Sequence, residues 1–153
     1  MPVPARRRLL ILICVFFALA APAAAAERLD RVERQVVRSL NGVRGAYRLS
    51  PLRIRHGISN VATAHSRTMA RTGVFSHGDW LRRVARTART GRVGEVLAYV
   101  IRTSPRRQAG TIVRDWLNSP THRAVILSPS FHRLGVGRTR GRGVTFFTVD
   151  VAR

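Results

Sequence analysis

Cysteine occurs once in the chain, at Cys14, and it falls in an N-terminal stretch that reads as an export leader. Arg6, Arg7 and Arg8 make a positive start, Leu9 to Ala21 an apolar run too short to span a bilayer, and Ala24-Ala25-Ala26 a small-residue cleavage site. Ile13 precedes Cys14 where a lipid-modified cysteine would follow a small residue. The expectation is therefore a signal peptide over 1–26, cleavage before Glu27, and no transmembrane segment afterwards. A retained anchor is the alternative, because the alanines prolong the apolar stretch. Whatever folds after Ala26 does so without a disulfide and must hold itself by core packing alone. Its length suits one domain.

The apolar pattern changes period along that domain. Leu29, Val32, Val36, Leu40 and Val43 recur at helical spacing, and Asn41-Gly42 predicts the helix end. Arg48 to Leu52 reads as extended, since Pro51 disfavours helix before it. Ile58, Val61, Ala62, His65 and Met69 form the stripe of a second helix that Gly73 closes. Leu81 to Ala88 predicts a short helix, with Asp79 as its cap, and Val96 to Ile101 a buried strand. Ser104-Pro105 and Ser119-Pro120 are helix starts, the first helix burying Ile112, Val113, Trp116 and Leu117, the second running to Leu127. Leu134 to Gly137 and Val144 to Val151 read as strands joined by Arg138 to Gly143. Helices and strands mix without a βαβ repeat, which predicts an α+β fold.

The charge has one sign and one residue type. All 28 basic residues are arginine, against 7 acidic ones, for a formal net charge of +21. Such a surface implies an anionic partner, a cell-envelope polymer or a lipid surface, and arginine forks suit phosphate. A composition bias, with alanine and glycine abundant and lysine absent, explains the same count without a partner. The arginines are dispersed and no aromatic residues interleave them for base stacking, so specific nucleic-acid recognition is not expected.

Three phrases concentrate the polar chemistry: Phe75-Ser76-His77, Gly94-Glu95, and Trp116-Leu117-Asn118-Ser119-Pro120-Thr121-His122-Arg123. With Pro51-Leu52 and the run Ala62 to Ala70, their order resembles the CAP superfamily (cysteine-rich secretory proteins, antigen 5 and pathogenesis-related proteins) in its cysteine-free bacterial form. The resemblance spans about residues 36–151, with 27–35 beginning the N-terminal helix. It implies an α-β-α sandwich with a small antiparallel sheet between helices, and a cleft containing His77, Glu95, His122 and Ser119. Two departures stand out: Val96 replaces the asparagine usual after Gly-Glu, and Ser119 holds the place of a second glutamate found in many cysteine-rich relatives.

Three roles fit such a constellation. Glu95 could bridge two histidines as a structural cluster. His77, Glu95 and His122 could hold zinc or another divalent cation, or a polar ligand, His122 being kept neutral by its place in the first turn of a helix. Hydrolysis would use Glu95 as base or a metal-bound water. Asp79 caps a helix or supplies the missing carboxylate, and His65 reads as a core residue. The reading adopted is a secreted, monomeric protein that binds a ligand outside the cell or at its envelope. Metal-assisted hydrolysis in the same cleft is the alternative.

Overall fold

The computed structural model describes residues 29–153, so the leader expected over 1–26 lies outside the described residues. The first apolar stripe forms α1 (Arg31–Ala46), which buries Val32, Val36, Val37 and Leu40. Its start is a reciprocal capping box, with Glu33 N donating to Asp30 Oδ1 at 2.8 Å and Asp30 N to Glu33 Oε2 at 2.7 Å. Asn41-Gly42 does not end the helix, as the sequence had suggested. Asn41 instead exchanges two side-chain bonds with the backbone of Leu52, and the helix continues one more turn.

That extra turn places Arg44 in the interior, fully buried. Its guanidinium donates to the carbonyls of Ser50 at 3.0 Å, Ile126 at 2.6 Å, Ser128 at 3.0 Å and Phe131 at 3.2 Å. Burial lowers its pKa from the usual value. One cation thereby ties α1 to the segment that follows the last helix, using only neutral acceptors.

Among the described residues, four strands form one sheet. The strand β4 (Val144–Ala152) lies between β2 (Val93–Ile101) and β3 (Arg133–Gly141) and pairs antiparallel with both. The two-residue strand β1 (Arg53–Ile54) adds to β3 in parallel, so the sheet is mixed rather than wholly antiparallel. Two residues carry no period, which is why β1, just beyond the extended connection read over Arg48 to Leu52, does not show in the sequence. β3 runs on to Gly141, further than the sequence suggests, and meets β4 in a tight Arg142-Gly143 turn.

Glycine decides how the second helix lies. The helix α2 (His56–Thr72) ends on Gly73, whose φ of +76° is the left-handed conformation expected there. It rests on a stripe of β3 glycines, one every second residue, with Thr139 interrupting. A Cβ on Gly135 would stand 2.2 Å from the backbone of Ile58, and one on Gly137 2.1 Å from Thr63 N. No side chain fits there, so helix backbone meets strand backbone. A buried hydroxyl pair seals the contact: Ser66 Oγ lies 2.9 Å from Thr148 Oγ1 and donates to Gly137 O at 3.0 Å.

The opposite face of the sheet packs on α1, α4 (Pro105–Asn118) and α5 (Pro120–Ile126) through Val96, Val100, Val136, Phe147 and Val149. Trp116 is the largest buried side chain there, and its indole N–H donates to Leu97 O at 2.7 Å. Helices on both faces of one mixed sheet make an α+β sandwich of three layers.

Candidate functional site

Glu95 sits inside β2 rather than in a loop. Its strand-mates Val96 and Val100 enter the α1/α4 core, so alternation turns Glu95 and Leu97 to the α2 side. There its carboxylate is sealed from solvent and held at both ends. His77 Nδ1 donates to Oε1 at 2.8 Å, and Arg83 Nη2 donates to Oε2. Arg83 comes from α3 (Trp80–Ala88), and its other fork lies 3.4 Å from His77 O. Half of the His77 side chain remains exposed, while that of Glu95 is 0 % exposed. With Nδ1 committed to Glu95, Nε2 is the ring nitrogen left for another partner.

The loop carrying His77 is pinned from two sides. His65, half-buried on α2, places Nε2 2.9 Å from Ser76 O, and burial together with the Arg83 charge lowers its pKa. The sequence reads His65 as a core residue, but it belongs to the edge of this site. Phe75 packs edge-on against Tyr99 of β2, ring centroids 5.1 Å apart.

His122 arrives on the first turn of α5. Gly94 explains how that helix gets close: a Cβ there would crowd Val125 Cγ1 at 3.0 Å and Phe131 Cε2 at 3.2 Å. The glycine beside Glu95 therefore lets α5 close on β2 from the other face. Burial, and then the charge of nearby His77, depress the His122 pKa from 6.5. Ser119 is the hinge residue between α4 and α5, and its hydroxyl makes no capping bond.

Asp150 is the component that motif reading missed. It is fully buried on β4, directly opposite Glu95 in the β2–β4 register and opposite Gly135 on the other side. Neither of its oxygens receives a donor. Burial raises its pKa well above 3.8; the Glu95 charge and a hydrogen bond to Glu95 add to this, while Arg83 opposes it. Two carboxylates cannot bond each other, but a protonated Asp150 can donate to Glu95. The only sequence signal was a lone acid within the apolar run Val144 to Val151. Asp79, the other candidate for the missing carboxylate, is exposed, makes no capping bond and pairs with Arg82 at 3.0 Å.

The sign of a pH effect follows. A carboxyl with a raised folded pKa binds its proton more tightly in the folded state, so its contribution to stability declines as pH rises above about 3.8. Asp150→Asn keeps a donor for Glu95 and removes that slope. Thermal melts from acid to neutral pH are expected to show D150N gaining on the parent protein as pH rises. Parallel curves would show Asp150 to be ionised already.

For a metal the donor set falls short of the expected one. Among the described residues, no three His, Cys, Asp or Glu side chains are placed to hold one ion. Glu95 gives one oxygen to His77 and the other to Arg83, so it does not complete a His77/Glu95/His122 ligand set. A carboxylate bonded to the far nitrogen of an imidazole is instead the usual means of orienting a ligand histidine. Two imidazoles remain as donors.

A family model described as the cysteine-rich secretory protein family, CAP, matches residues 37–151. Among curated proteins nothing matches. The chain is similar to an outer surface protein from Borrelia burgdorferi, with a TM-score of 0.66 and 18 % identity, covering 82 % of this chain and 96 % of that one. It is also similar to an extracellular SCP-domain protein from Bacillus anthracis str. Ames, with a TM-score of 0.64 and 27 % identity over 80 % of this chain. That match takes in 40 % of the Bacillus protein. NaASP2, solved with Zn2+, gives a TM-score of 0.65 at 8 % identity, covering 81 % of this chain and 80 % of that one.

Proposed function

Because the chain belongs to the cysteine-rich secretory protein (CAP) family, we propose that it is an extracellular binding protein that takes a polar ligand or divalent cation between His77 and His122. The observation that carries this reading is the His77–Glu95 bond. It fixes the ring, commits Nδ1 and leaves Nε2 available beside a second imidazole whose pKa is lowered by burial. Zinc is the natural probe, since neutral imidazole is its common ligand and NaASP2 was solved with it. His77 and His122 are the two donors here, Glu95 orients the first, and Asp150 and Arg83 hold Glu95. Bound zinc would supply Lewis acidity. Glu95 has no free oxygen with which to act as a base, so no observation favours hydrolysis. The arginine surface retains the protein on anionic envelope polymer, and among the described residues no helix is long and apolar enough to cross a membrane.

Calorimetric titration of zinc into the metal-stripped protein is expected to give saturable one-to-one binding, lost in both His77→Ala and His122→Ala. Glu95→Gln is expected to keep weakened binding, by about 10–100-fold, as loss of an orienting partner does. Absence of binding in the parent protein, with both histidine variants less stable, would make the cluster structural and overturn the proposal.

A further inference from the structure

The far edge of the sheet carries a second polar concavity. Arg53, Arg55, His132, Arg133 and Arg153, with Ser50 at the rim, line a depression of about 460 Å³ beside β1. It lies at the β1/β3 edge, whereas His77 and Glu95 lie at the β2 edge.

The convergence of these guanidinium groups is built into the backbone. Arg53 and Arg55 are two residues apart on an extended segment and so project to one side. Their amides donate to His132 O and Leu134 O, each at 2.8 Å, which fixes the segment against β3. Arg133, the register partner of Arg53, is half-buried and already oriented. One fork donates to Ala88 O at 3.0 Å and the other to Arg153 O.

No carboxylate side chain lines this depression. The acids of the described residues are committed elsewhere: Asp30 and Glu33 to Arg138, Asp79 to Arg82, Glu95 and Asp150 to the Arg83 cluster. Asp115 is exposed on α4. The main-chain carboxylate of Arg153, which Arg133 binds, offsets one of these charges, and the remaining excess of like charge still raises the local potential and attracts an entering anion. Planar forks bond tetrahedral oxyanions two oxygens at a time. The site is concave, and Pro51 is the only apolar residue in its lining. Docking on a membrane needs apolar side chains to bury. Among the exposed ones, Phe75 packs on Tyr99 at the β2 edge and Ile101 ends that strand, while at this edge Ile54 stands alone between Arg53 and Arg55 and alternation turns it to the other side.

We infer that the depression formed by Arg53, Arg55, Arg133 and Arg153 is an oxyanion site for a phosphate group carried on a soluble ligand. It rests on the envelope reading above only for where such a ligand is met. The His77 site is not involved, and the zinc titration tests that site separately.

The test is a titration of inorganic phosphate into the protein at low salt, followed by amide shifts in two-dimensional NMR. Arg53→Gln/Arg55→Gln is compared with Arg106→Gln/Arg107→Gln, which removes the same charge from exposed positions on α4. Thermal melts of both confirm that they fold; the β1–β3 bonds use backbone atoms and are untouched by either pair. Saturable shifts at residues 53–55, 132–133 and 153 are expected, with Kd raised about tenfold in the first variant and hardly changed in the second. Equal weakening in both pairs, or shifts spread over the whole arginine surface, would reduce the effect to net charge and overturn the inference. Vesicles of phosphatidylglycerol in phosphatidylcholine form the second arm, where equal binding by the two charge-matched variants is expected. If R53Q/R55Q lost vesicle binding but kept phosphate binding, the edge would be a lipid-docking surface and the inference would fall.

Discussion

Arg44→Met is expected to lower the unfolding free energy by about 3–5 kcal/mol, read from urea denaturation midpoints. Methionine matches the stem of the arginine, so the cavity is small. The loss comes from the acceptors. The carbonyls of Ser50, Ile126, Ser128 and Phe131 all receive their side-chain donor from this one guanidinium. A buried acceptor left without a partner costs about 1–3 kcal/mol. Water entering the vacated space would relieve part of it, which is why the sum over four is not reached. Arg44→Lys has three donors, lacks the planar fork and is expected to recover only part of the loss. An effect below about 1 kcal/mol for Arg44→Met would show that the segment after α5 repacks without its anchor.

The second large effect concerns a single methyl group. Gly137→Ala places a Cβ 2.1 Å from Thr63 N and 2.4 Å from the Ala62 carbonyl carbon, both backbone atoms of α2. Backbone cannot swing aside as a side chain can, so the helix must lift from the sheet. Overpacking of this kind costs about 1–3 kcal/mol, and occasionally more; the upper end is expected here because the Ser66–Thr148 pair opens at the same time. Gly42→Ala is the matched control. It lies in α1, a Cβ there meets nothing within 4 Å, and replacing a helical glycine stabilises by about 0.5–1 kcal/mol. Opposite signs for the two substitutions in thermal melts would establish close approach, rather than glycine entropy, as the reason for the β3 stripe. Equal signs would refute it.

Periodicity made most of the fold legible. The stripe through Ile58, Ala62 and Met69, the apolar run of β2, and the Ser-Pro starts of α4 and α5 are all strong local signals, and each corresponds to an observed element. Where local reasoning failed, a distant partner had overruled it. Asn41-Gly42 looks like a helix end, but Asn41 is bound to Leu52 and the next turn is anchored by Arg44. Ser104 and Ser119 occupy the capping positions without bonding there, leaving proline as the signal that mattered.

The candidate site was only half readable, for a related reason. His77, Glu95 and His122 lie in short recognisable phrases. Asp150 and Arg83 do not, because what matters about them is a neighbour across a strand pair or on another helix. A lone aspartate in an apolar strand is a weak sign of such a neighbour, and an arginine among 28 basic residues is no sign at all. His65 was misread because a helical stripe says which way a side chain points, not how far the cover above it extends.

The four acceptors around Arg44 have a consequence for how the protein meets acid. The links at the other layer, Glu95 with His77 and Arg83, join ionisable side chains to one another. A peptide carbonyl has no proton to gain in that range, and a guanidinium none to lose. The junction between α1 and the end of α5 is thus indifferent to acidity, and being buried it is shielded from salt as well. The layer that carries α5, and with it His122, is therefore fastened to α1 by bonds that neither acid nor salt reaches.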